Sequence, residues 1–129
     1  MSTERLDLWD FGMGLLSALR IRGIEVLDEN DLNKLHAAFV DAFEVIEKRL
    51  VNERLTFAII THRIHGLSSD VFNIFSYWQG PWATKDSPGT IWRFRMEEQT
   101  AENILAKLPG GREVFLQAAD AFLLKYRGY

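Results

Sequence analysis

Leu32, Leu35, Phe39, Phe43, Ile46 and Leu50 recur at steps of three and four, and only a helix places such a series along one side of the chain. The stripe predicts an amphipathic helix over residues 30–50 with its apolar face on a core. Asp28 and Asp31 supply capping carboxylates at its start, Lys48 and Arg49 complement the dipole at its end, and Asn52 is a plausible terminator.

After Thr56 the texture changes. Residues 56–64, 71–78 and 90–96 are rich in β-branched and aromatic side chains and are separated by Gly, Ser, Asp and Pro clusters, the pattern of three antiparallel strands. In the first of them Phe57, Ile60, Ile64 and Leu67 also fit one face of a helix.

Ahead of the long stripe, residues 10–21 read as a short helix with Asp10 as N-cap and Leu15, Leu16 and Leu19 on one side. Gly12 and Gly14 lie inside it, each costing about 1 kcal/mol relative to alanine. Gly23 stops it, and residues 24–27 form an extended link or minor strand. Toward the other end, Thr100 can cap a helix over residues 101–108 that Pro109, Gly110 and Gly111 terminate. A last helix over residues 112–126 turns Val114, Phe115, Ala118, Phe122 and Leu123 to a core. The order α-α-β-β-β-α-α is segregated rather than alternating, which predicts an α+β fold: a three-stranded antiparallel sheet packed with helices. At 129 residues the expectation is one domain, residues 1–129.

With no cysteine, the chain has no disulfides, thiolate metal ligands or thiol nucleophiles, and it suits a reducing compartment. Acidic residues stand where a signal peptide needs a basic start. No stretch approaches the roughly 20 apolar residues of a membrane span. The expected setting is cytoplasmic, away from membranes. A net charge of −3 argues against a main role in gripping nucleic-acid phosphates. Residues 53–95 nevertheless hold five basic against three acidic side chains, so an anion would find its site there.

Motifs that carry chemistry are missing. His62 and His65 would share a face on a helix but point to opposite sides of a strand, and with His36 they exhaust the histidines, so no metal and no cofactor are expected. Asp28 to Asp31 begins like a calcium loop but lacks the turn glycine, and Phe39 stands where the closing glutamate belongs. Neither Gly12/Gly14 nor Gly110/Gly111 continues into a phosphate-binding loop. No serine has a nucleophile-elbow context.

What remains is the middle of the chain, where half of the sixteen aromatic residues fall between Phe57 and Phe94. Strand alternation sends Ala58, Ile60, Ile64, Phe72, Ile74, Trp78, Trp92, Phe94 and Met96 to a core face. It sends Phe75, Tyr77, Arg63, Arg93 and Arg95 to the opposite face. Rings and guanidinium groups together suit a protein interface, so the expected function is that of a small non-enzymatic adaptor, regulator or immunity-type domain. It would bind another protein, or itself as a symmetric homodimer, through those five residues. A nucleic-acid or anionic-ligand domain using Arg63, Arg93 and Arg95 is the alternative, and an enzyme with a site assembled from distant residues is the third.

Overall fold

In a computed structural model of the chain, residues 5–50, 54–55, 69–86 and 89–127 are described. Their elements run β1 (Arg5–Leu6), α1 (Leu8–Ile21), β2 (Val26–Asp28), α2 (Leu32–Arg49), β3 (Arg54–Leu55), α3 (Ser69–Trp78), β4 (Ala83–Lys85), β5 (Ile91–Phe94), α4 (Glu98–Lys107) and α5 (Gly111–Arg127). The class is α+β with a three-stranded antiparallel sheet packed with helices, as the sequence predicts, and the described residues form five helices. The strands of that sheet are β2, β5 and β4 in that order, while β1 and β3 form a separate parallel pair.

The fold is organised around α1. Its residues from Phe11 to Leu19 are all buried, as in a helix that is apolar on every side and surrounded by others. Helices α3, α4 and α5 all pack against it. Gly14 makes the closest of these approaches possible. A Cβ on Gly14 would overlap the Phe115 ring of α5, and Trp78 Nε1 of α3 donates to the Gly12 carbonyl at 3.0 Å. Ser17, the buried polar residue of α1, is satisfied within this layer, donating to the Met13 carbonyl at 2.7 Å. The cap is Asp7 rather than Asp10: Asp7 accepts from the Asp10 N–H at 2.8 Å, and Asp10 reaches back to the Asp7 N–H at 3.5 Å, a capping box built from two carboxylates.

Helix α2 buries Leu35, Phe39, Phe43 and Ile46, with Asp31 as its cap through the Lys34 N–H. It lies antiparallel along α5, since Arg49 meets Gln117 and Asp41 meets Lys125. The main correction concerns residues 71–78, which are helix α3 and not a strand. Val71, Ile74, Phe75 and Trp78 are buried while Phe72 is half exposed. That 0, 3, 4, 7 spacing is one helical face, which overrides the β preference of the individual side chains. Helix α3 covers the inner face of the sheet, stacking Phe75 on Trp92 and setting Trp78 edge-on to Phe94. Phe39 joins the same cluster through Phe75 and Phe122. The strand expected over residues 56–64 lies outside the described residues. Among the described residues, Val26–Asp28 and Ala83–Lys85 pair with β5 on either side.

Gly14→Ala should destabilise the protein by up to about 2 kcal/mol in urea unfolding, because overpacking of about 1–3 kcal/mol is set against a helix gain of about 1 kcal/mol. Gly12→Ala, whose methyl would meet only Ile74 side-chain atoms, should be close to neutral.

Burial, then repulsion from Asp7, holds the Asp10 carboxyl above the ordinary aspartate range. A carboxyl that binds its proton more readily in the folded chain loses stabilising effect as pH rises through that interval. Asp10→Asn keeps an acceptor for the Asp7 N–H and removes the like charge. At neutral pH it should raise stability by about a few tenths of a kcal/mol, the effect being screened at this partly exposed position. Thermal unfolding followed against pH should show the difference vanish below the ordinary aspartate range.

Candidate binding surface

Strand β5 alternates about its centre, with Ile91 and Phe94 half-buried at its ends, and Arg95 follows just past it. Trp92 is buried and Phe94 half-buried on the inner side, and Arg93 and Arg95 are exposed on the outer side. Because Val26 and Thr84 lie level with Arg93 on the flanking strands, they share its outer face. Val26 is 44% exposed there. Arg93 holds Asp86 through two hydrogen bonds of 3.2 Å each, the bidentate geometry that a guanidinium offers a carboxylate.

The end of this face opens into a groove of about 430 Å³ lined by Arg20, Glu25, Val26, Arg93, Arg95 and Glu97 with the Phe94 and Met96 positions. Arg20 comes from the last turn of α1 and is anchored by its Nε, which donates to the Met96 carbonyl at 3.1 Å. The backbone of Arg95 is fixed as well, its N–H donating to the Trp82 carbonyl at 2.7 Å. Neither guanidinium forms an ion pair among the described residues.

The expected patch is therefore only partly assembled. Arg93 and Arg95 share the outer face, as alternation requires. Phe75 is 5% exposed and stacked on Trp92, so it is core and not partner-binding surface. Tyr77 sits on α3, half-buried with its ring centroid 5.1 Å from that of Trp9, in the helical layer on the inner side of the sheet. Placing both rings beside the arginines required residues 71–78 to be a strand. Arg63 lies outside the described residues. Arg20 and Val26, which sequence reasoning left out, take their place; Val26 was legible only as part of a minor strand, and nothing in the sequence joins Arg20 to Arg95.

The edge of β2 is treated differently along its length. Bonds from the Glu29 N–H to the Thr90 carbonyl and from the Phe94 N–H to the Glu25 carbonyl fix which groups face β5. In an antiparallel ladder this turns the backbone N–H and C=O of Val26 and Asp28 away from β5. At Asp28 the Tyr126 hydroxyl closes the edge, accepting from the N–H at 2.7 Å and meeting the carbonyl at 3.3 Å. At Val26 the described residues supply no such closure, so the edge is open beside the groove.

A second cleft of about 470 Å³ involves Asp28, Asn30, Asp31, Lys34, Tyr126 and Arg127. Its two carboxylates already have structural tasks: Asp28 accepts from Thr90 Oγ1 and the Asn30 N–H, and Asp31 caps α2. Among the described residues no cluster of His, Asp and Glu could hold a metal ion, and no helix is long and apolar enough to cross a membrane. His62 and His65 lie outside the described residues.

No protein-family model matches the chain, and no significant match was found among curated proteins or solved structures.

Tyr126→Phe should cost about 1 kcal/mol in denaturant unfolding, the loss of a net hydrogen bond at a partly exposed site. Hydrogen exchange at the Asp28 amide should accelerate in the same variant.

Proposed function

We propose that this chain is a non-enzymatic protein-interaction domain that engages another protein, or a second copy of itself, on the outer face of its sheet through Arg93, Arg95 and Val26. The observation that carries the reading is the one-sided covering of the sheet among the described residues. Helix α3 occupies the inner face through Phe75 and Trp78, while the outer face keeps an apolar side chain 44% exposed among arginines. Arginine is enriched at interface hot spots because it combines an apolar stem with a forked donor, and an exposed valine beside it supplies area that gains from burial.

An anionic-ligand domain is the second reading, favoured by the convergence of Arg20 and Arg95 on one groove. Base stacking receives less support, because Phe75 is buried and Tyr77 pairs with Trp9, so neither of these rings is offered on the arginine face for single strands to stack upon.

The test compares wild type with Val26→Asp and Arg93→Glu, both immobilised on resin in extract and examined by light scattering. Wild type should retain a defined protein or self-associate, and both variants should lose this while keeping a native circular-dichroism spectrum, since the substituted side chains are exposed. Equal retention and association by all three proteins would remove the outer face from the reading, and a wild type that stays monomeric and retains nothing would overturn it.

A further inference from the structure

Resting on that reading, we infer that the groove at the end of the outer face receives an extended peptide segment of the partner protein bearing spaced carboxylates. The face already holds one carboxylate in this way: Asp86 lies across the guanidinium of Arg93 with both oxygens engaged. Two residues on, just past the end of β5, Arg95 is exposed on the same side, about 7 Å further on. No internal acid pairs with it among the described residues. Arg20 lines the same groove. Its Nε is fixed on the Met96 carbonyl, which leaves its terminal nitrogens to bind a ligand and lowers the ordering cost of doing so. Neither Glu25 nor Glu97 of the same lining forms an ion pair with Arg20 or Arg95, so a ligand carboxylate can take up charge-assisted hydrogen bonds from these guanidinium groups.

The same groove selects against a polyanion. Glu25 and Glu97 are among its lining residues, so a nucleic acid, with a phosphate on every nucleotide, would bring charge against them. A peptide with Glu or Asp at alternate positions presents its carboxylates on one side at strand spacing and leaves neutral residues between them. The open backbone of Val26 adjoins this path and offers an N–H and a C=O to such a strand.

The experiment titrates the full-length, ¹⁵N-labelled protein with the peptide acetyl-Thr-Glu-Val-Glu-Thr-amide. The same sequence with Gln for Glu and a ten-residue oligothymidylate serve as comparisons. The acidic peptide should shift the backbone amides of Val26, Arg95 and Glu97 and the Nε–H signals of Arg20 and Arg95. Replacing Glu by Gln in the peptide, or Arg95→Gln in the protein, should weaken binding about tenfold or more, the expected loss for one charge-assisted bidentate contact. Arg95 is exposed, so its substitution leaves the fold intact, and Arg95→Lys should restore part of the affinity.

No saturable shifts with the acidic peptide, equal binding of the Gln peptide, shifts confined to other surfaces, or tighter binding of the oligonucleotide would each overturn the inference. Capture of a partner that survives Arg95→Gln but is lost with Val26→Asp would remove the acidic-peptide assignment alone and leave the outer face as a docking surface.

Discussion

The burial of α1 on every side is the constraint from which the rest of the architecture follows. A helix with no solvated face must be enclosed, and α3, α4 and α5 enclose it. Gly14 makes the enclosure tight: the helix gives up propensity there so that Phe115 can lie where a side chain would otherwise stand, while Trp78 ties α3 to the Gly12 carbonyl. That exchange is favourable because ring burial outweighs the helix-propensity cost, with a large buried aromatic contributing about 3 kcal/mol or more.

Once α3 is held against α1 by Ile74 and Trp78, its remaining apolar side chains, above all Phe75, are available to cover the sheet. The sheet is thus a peripheral layer, three short strands resting on the aromatic cluster that also takes in Phe39 and Phe122. With its inner face occupied, the outer face carries the row of Val26, Arg93 and Thr84. Edge protection is local: the Tyr126 hydroxyl guards Asp28, and the short length of β2 limits what Val26 can recruit.

The helical ends of the chain were legible because their information is local. The Leu35, Phe39, Phe43, Ile46 series of α2 and the Val114, Phe115, Ala118, Phe122 series of α5 are helical periodicities that no strand could use, and both are buried as their spacing requires. In and out along β5 was equally legible from alternation. For residues 71–78 two signals competed. Side-chain type favoured a strand, while Val71, Ile74, Phe75 and Trp78 fell at helical spacing, and the spacing prevailed because a β preference reflects the surface a side chain packs on more than the backbone itself. The misassignment carried straight into the site: it set Phe75 and Tyr77 beside Arg93, where α3 cannot place them.

By itself the sequence determined the α+β class, the positions of the apolar stripes of α2 and α5, and the outward direction of Arg93 and Arg95, since each depends on periodicity within a few residues. Only the tertiary structure decided that residues 26–28 pair with 91–94, that α1 is enclosed, and that Arg20 lies in the same groove as Arg95. Strand partners and groove neighbours are chosen by how separate elements bury one another's faces. Because that choice joins residues some seventy positions apart, such as Arg20 and Met96, no local pattern records it.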